Sequence, residues 1–150
     1  MSTAEREQAL VRAHLKFGWW SLLVFVSMGV TLEALHGFKA SFYLHPAHET
    51  RRLMWTLAHS HGTLLAVLQF LFAATVRWGF SPPGRKRQVA SACLRLAAVL
   101  LPAGFFLGGL VLYDGDPGLG VLLVPLGGLA LVVGILCSAL NLQRGEPPSG

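Results

Sequence analysis

Four long apolar runs constrain the fold of this chain more than any other feature. They cover about residues 17–36, 53–76, 89–113 and 118–140 of a 150-residue sequence. An α-helix rises ~1.5 Å per residue, so a run of roughly 20 residues crosses a hydrocarbon core ~30 Å thick. The composition agrees, because 53% of the residues are hydrophobic and 13% are charged, unlike a soluble domain. The sequence therefore predicts an all-α integral membrane protein, a bundle of four transmembrane helices in one domain.

Both ends of the chain are polar. The stretch "TAEREQALVRAHLKF" predicts a short N-terminal amphipathic helix along the membrane, with one face formed by Ala9, Leu10, Ala13 and Phe17. Because this charged segment precedes the first run and no small-residue cleavage site follows it, we expect a membrane span rather than a signal peptide. The tail "QRGEPPSG", residues 143–150, is short, polar and rich in Pro and Gly, so it is predicted to be disordered.

Basic residues in the short loops indicate the orientation. The loop between the third and fourth runs has none, whereas the loop between the second and third holds Arg77, Arg85, Lys86 and Arg87. The positive-inside rule then places both termini and the basic loop in the cytoplasm, in what we take to be a bacterial inner membrane. The net charge of +5 follows largely from this topology, so membrane lipid and not nucleic acid is the expected partner.

Polar side chains gather in the outer third of the predicted bundle. His59 and His61 lie roughly 9 and 12 Å inside the outer start of the second helix. Ionisable groups are costly at this depth and mark candidate sites. The groups that converge there are Glu33, His36, Arg51, Arg52, His59 and His61.

The spacing of the two embedded histidines limits their chemistry. Positions two apart on a helix point about 200° away from each other, so His59 and His61 cannot easily hold one ion. The spacing also differs from the i, i+4 pair of helical zinc sites. Each imidazole is therefore predicted to serve a separate partner on its own side of the helix. His61 shares its face with Leu57, Leu65 and Leu68, which form an apolar wall.

Haem suits these surroundings, because it needs an axial imidazole, an apolar slot and cations for its propionates. His59 and His61 are the predicted axial ligands, and Arg51 and Arg52 the predicted propionate clamp. No C-x-x-C-H motif is present, so the haem would be of b type.

Simpler interpretations of the same residues remain open. Either histidine can simply hydrogen-bond to a neighbouring helix, and Glu33 can pair with Lys39 or Arg51. The arginines, which lie outside against the positive-inside rule, indicate a local anionic partner or a solvated pair. His45 and His48 are expected to be loop residues, with surface copper or zinc binding as an alternative. Gln69 is the expected interhelical hydrogen-bond donor.

The segment "LAHSHGTLLAVLQFLFA" resembles the tenth transmembrane helix of the catalytic subunit of haem–copper oxygen reductases. In that family an A-H-x-H motif ligates two haems, one on each side, on the second helix of a four-helix unit. The resemblance implies that His59 matches the ligand of the high-spin haem and His61 that of the low-spin haem. It covers some 15–20 residues and does not extend to the family's copper-site histidines or active-site tyrosine, so it does not imply oxygen reduction.

Three identical chains around a threefold axis would imitate the layout of that family. Each second helix would then offer His59 to one neighbour and His61 to the other, in a closed ring. The leading hypothesis is a b-type haem protein for electron transfer or for sensing or handling a small gas; the sequence indicates no redox partner. Glu33 and His36 would serve a proton path or support the ligands.

Three alternatives remain open. The first is a proton or metal-ion transporter or channel subunit lined by Glu33, His36, His59 and His61. The second is an accessory protein without a ligand. The third is an enzyme whose histidines do acid–base chemistry on a lipophilic substrate.

Overall fold

The computed structural model describes residues 2–142, so the predicted disordered tail at 143–150 lies outside the described residues. Four helices in it are long and apolar enough to cross a membrane, which confirms the predicted all-α class with four spanning helices. The elements in chain order are α1 (Thr3–Gly37), α2 (Ser41–Leu44), a 3₁₀ turn (Pro46–His48), α3 (Glu49–Arg77), α4 (Arg85–Leu110), β1 (Leu112–Tyr113), β2 (Asp116–Pro117), a second 3₁₀ turn (Leu119–Leu122) and α5 (Leu123–Leu142).

The N-terminal segment is helical, but it is the start of α1 and not a separate helix. Ser2 caps it, because its Oγ accepts from the Glu5 amide at 3.2 Å while the Glu5 carboxylate accepts from the Ser2 amide at 2.7 Å. No residue then interrupts the helix before Gly37. The face that packs inward contains Val11 and His14, whereas Ala9 of the predicted apolar face is exposed.

The third span begins and ends earlier than predicted, because α4 runs from Arg85 to Leu110 and not from about 89 to 113. The chain then forms a two-stranded antiparallel hairpin in which Leu112 pairs with Pro117 and Tyr113 with Asp116. Asp114 and Gly115 have φ values of 49° and 92°, as a two-residue hairpin turn requires. We call the end of the bundle that carries residues 38–48 and 111–118 the hairpin end, and the end that carries residues 78–84 the basic end.

The helices pack mainly as chain neighbours, with α3 between α1 and α4, and α5 against α4. Glycines let α4 and α5 approach closely: a Cβ on Gly127 would lie 2.8 Å from the Leu101 amide nitrogen, and one on Gly134 2.9 Å from the Leu94 side chain. This is the close packing that small residues permit in membranes. The outward faces of α1 and α5 stay apolar and exposed, as Trp20, Leu126 and Leu129 show, so they suit lipid or a second chain.

Candidate functional site

The imidazole of His59 lies against α1. Its Nδ1 is 2.7 Å from the backbone oxygen of Phe25. A carbonyl oxygen only accepts hydrogen bonds, so Nδ1 carries the proton and Nε2 holds the lone pair. Gly29 makes this approach possible, because a Cβ there would lie 2.8 Å from both ring nitrogens and closer still to Cε1. Two residues of α1 that lie one turn apart thus fix the ring: Phe25 accepts its hydrogen bond, and Gly29 leaves the space that it occupies.

His61 is held in the same tautomer on the other side of α3. Its Nδ1 is 2.9 Å from the oxygen of Leu57, one turn earlier on the same helix. Its ring packs on Phe105 of α4, with the ring centroids 4.9 Å apart. The prediction from helix geometry that the two histidines face opposite sides of α3 is therefore confirmed, with His59 on α1 and His61 on α4.

Both Nε2 atoms are open. Within residues 2–142, Thr63 Oγ1 is the one buried side-chain nitrogen or oxygen atom without a hydrogen-bond partner. The Nε2 atoms of His59 and His61 are open in the sense that they make no hydrogen bond in that part of the chain. A neutral imidazole with an anchored Nδ1–H and an open Nε2 is the form in which histidine ligates a metal.

Arg51 and Arg52 bind backbone carbonyls of the hairpin end. Arg51 Nε donates to Gly109 O at 3.1 Å, and its guanidinium lies 5.9 Å from the Trp55 ring centroid. Arg52 Nη1 donates to Leu44 O at 3.1 Å. Neither forms an ion pair with a carboxylate in the described residues, so both positive charges are uncompensated there. Arg52 precedes His59 by seven residues, two helical turns, and therefore lies on the same face of α3.

The structure does not join Glu33 and His36 to the histidine pair. Both are exposed near the end of α1, and across residues 2–142 no hydrogen bond or ion pair connects them to His59, His61 or the arginines. The predicted Glu33 ion pair with Lys39 or Arg51 is absent from that range. Glu33 lies one turn beyond Gly29, the residue against which His59 packs, so it remains on the neighbouring surface.

His45 and His48 lie where the loop was predicted, with ring centroids 5.7 Å apart. His48 Nδ1 is 2.7 Å from Phe42 O. In the described part of the chain no group of three or more His, Cys, Asp or Glu side chains could hold a metal ion.

One buried histidine escaped the sequence analysis. His14 is 0% exposed, with Nδ1 2.8 Å from Gln69 Oε1 and Nε2 2.8 Å from Ser91 Oγ. The Gln69 amide nitrogen already donates to Leu65 O and Leu94 O, so Gln69 Oε1 accepts the hydrogen bond from His14 Nδ1. In this tautomer His14 Nε2 accepts the hydrogen bond from the Ser91 hydroxyl. The predicted interhelical role of Gln69 is confirmed. A signal did exist, since His14 shares a helical stripe with Val11 and Gly18.

His14 differs from the other two in having both nitrogens occupied, so it is a structural link between α1, α3 and α4. His59 and His61 each keep one ring nitrogen without a hydrogen bond in the described residues. Neither lines the apolar groove between α1 and α4 or the apolar groove between α3 and α5. Comparison of the chain with known protein families, curated proteins and solved structures finds no match.

Proposed function

We propose that this membrane protein binds b-type haem between copies of the chain, with His59 and His61 as axial ligands, for electron transfer or for handling a small gas. The observation that carries the proposal is the shared state of the two imidazoles. Each donates Nδ1–H to a backbone carbonyl and leaves Nε2 without a hydrogen bond within residues 2–142. In a ligating histidine, a hydrogen bond from Nδ1–H fixes the orientation of the ring and makes the ligand nitrogen Nε2 more basic.

The charges near the site favour an anionic cofactor. Arg51 and Arg52 are uncompensated by carboxylates within residues 2–142, and a guanidinium presents five N–H donors. Arg51 uses two of its donors on backbone carbonyls, because Nη1 also donates to Phe42 O at 3.4 Å, and Arg52 uses one. Both therefore keep donors for carboxylates. Haem, when bound, supplies one-electron redox chemistry or an iron site for a gas. The chain supplies the axial nitrogens, the cations and an apolar surround.

The opposite directions of the two imidazoles support a shared haem. One copy presents His59 beside α1 and His61 beside α4, so a single haem cannot use both from the same chain. A haem between copies takes His59 from one and His61 from the next, and three copies can close the ring. The resemblance of the A-H-S-H segment to the haem-ligating helix of haem–copper oxygen reductases agrees with this arrangement.

A proton path is the second candidate, and the buried network around His14 favours it. Gln69 and Ser91 place polar groups towards the basic end, where the sequence alone offered few. Thr63 Oγ1, one turn from His59, is buried and has no hydrogen-bond partner in the described part of the chain. If His14→Gln abolished proton flux into liposomes while His36→Gln, on the exposed part of α1, left it unchanged, the path would be supported.

The haem proposal is tested by the visible absorption spectrum of purified protein titrated with haemin, oxidised and then reduced. We expect sharp α and β bands on reduction, weakened or lost in His59→Ala and in His61→Ala. His36→Ala is the matched control, because it removes an exposed histidine and should leave the bands unchanged. Protein that stays colourless under haemin would refute the proposal and leave transport, catalysis without haem, or a ligand-free accessory role.

A further inference from the structure

A second cavity lies at the basic end, far from the histidine pair. Its volume is about 680 Å³, and it lies where α4 begins and α5 ends. Two cations and several apolar side chains share its walls. The lining includes Pro82, Arg85, Lys86, Val89, Cys137 and Asn141.

The wall of this cavity is fixed by hydrogen bonds. The Asn141 amide nitrogen of α5 donates to Ser81 Oγ at 2.9 Å and to Pro82 O at 3.1 Å. Arg87 of α4 donates to Ser81 O at 3.0 Å and pairs with Glu7 of α1 at 3.1 Å. Three helices thus hold the loop in place, and Asn141 is itself only 6% exposed. The cavity is therefore part of the folded structure.

The cations in the wall have no anionic partner among residues 2–142. Arg87, the third residue of α4, does form an ion pair there, but it does not line the cavity. Arg85 and Lys86 do line it and pair with no carboxylate in that range. Gly84 has no side chain to cap α4, so the first amides of the helix add to the positive potential.

The surroundings place the cavity at a membrane interface. Trp78 and Phe80, on the same loop, are 70% and 53% exposed, and aromatic residues in such positions mark the headgroup level. Trp19 and Trp20 of α1 are also exposed. A soluble anion would need only the cations, whereas Val89 and Cys137 give this cavity an apolar wall as well.

We infer that this cavity binds the phosphate headgroup of an anionic phospholipid, with Arg85 and Lys86 on the phosphate and the acyl chains along α4 and α5. Basic pockets between membrane helices recognise such headgroups. The site is separate from the histidine pair, because it lies at the basic end and α3 continues from His61 to Arg77 before that end is reached.

Native mass spectrometry of the full chain in detergent can test the inference, with dioleoyl phosphatidylglycerol and dioleoyl phosphatidylcholine as probes. We expect the double variant Arg85→Gln/Lys86→Gln to lose roughly tenfold to thirtyfold in affinity for phosphatidylglycerol, from two interfacial cations. The matched control Arg12→Gln/Arg77→Gln makes the same charge change on a groove elsewhere at this end and should keep the affinity. An equal loss in both variants would mean diffuse attraction and overturn the proposal.

Two further arms keep the test decisive. Val89→Trp fills the cavity without changing its charge, so it should also lose phosphatidylglycerol; unchanged binding would refute a seated headgroup. Millimolar inorganic phosphate should not displace the lipid, and displacement would assign the site to free phosphate instead. Arg85→Gln alone is the fallback if the double variant unfolds, because this exposed side chain makes no hydrogen bond or ion pair in the described residues.

Discussion

Replacing Gly29 by alanine should expel the His59 imidazole from its place on α1. The new Cβ would lie 2.8 Å from both ring nitrogens, inside van der Waals contact. Neither side can easily yield, because the Cβ is fixed to the helix backbone and the ring is held by Phe25 O at 2.7 Å. The ring must therefore rotate away and give up its hydrogen bond.

The cost follows from three terms. Overpacking costs about 1–3 kcal/mol, and loss of one hydrogen bond about 0.5–1.5 kcal/mol. Alanine returns roughly 0.5–1 kcal/mol, because glycine is the poorer helix former. We therefore expect the free energy of unfolding of Gly29→Ala to fall by about 0.5–4 kcal/mol. Haem affinity should fall with it, since the tautomer of His59 is no longer fixed.

Unfolding in mixed micelles by added denaturing detergent measures this change. Gly128→Ala is the matched control, because within residues 2–142 a Cβ at that position in α5 would meet no other helix within 4 Å. It should be neutral or up to ~1 kcal/mol more stable. If Gly29→Ala were as stable as Gly128→Ala and bound haemin normally, His59 would not lie against α1 and the reasoning would fail.

Two more substitutions test the interior with the same unfolding measurement. His14→Leu leaves Gln69 Oε1 buried without a donor, so its free energy of unfolding should fall by about 2–4 kcal/mol. The control His36→Leu, on the same helix, should change it by less than ~0.5 kcal/mol. Similar losses in the two variants would contradict the buried network around His14. Arg87→Gln removes a side chain that is 8% exposed together with its bond to Ser81 O, and Glu7→Gln leaves the buried Arg87 charge without a carboxylate, so each should cost about 1–3 kcal/mol. A loss below ~0.5 kcal/mol in either variant would refute this account of the pair.

Sequence reasoning found the parts that follow from periodicity. Length and hydropathy alone predict the four spans, because a backbone in hydrocarbon must satisfy its own hydrogen bonds. The opposite directions of His59 and His61 follow from 100° per residue, and the structure confirms them. Gln69 was predicted to bond between helices because a polar side chain at that depth needs a partner.

Other features depend on which helices meet, and a single sequence does not state this. His14 lies in a segment as charged as any surface helix, and only the packing of α1 on α3 and α4 shows that it is buried. Arg51 and Arg52 were predicted to bind the propionates of haem, but they also donate to backbone carbonyls near the hairpin end. The α4 helix stops at Leu110 because the D-G turn pairs the following residues, a local signal that hydropathy hides.

The most direct test of a haem shared between copies is complementation of the two histidine variants. His59→Ala and His61→Ala chains carry different tags, are co-expressed, and are purified through both tags before the reduced spectrum is recorded. In a mixed ring of three, one interface keeps both imidazoles, so about a third of the wild-type low-spin bands should return, while each variant alone shows none. A mixed oligomer whose spectrum is no different from the separate variants would contradict the account.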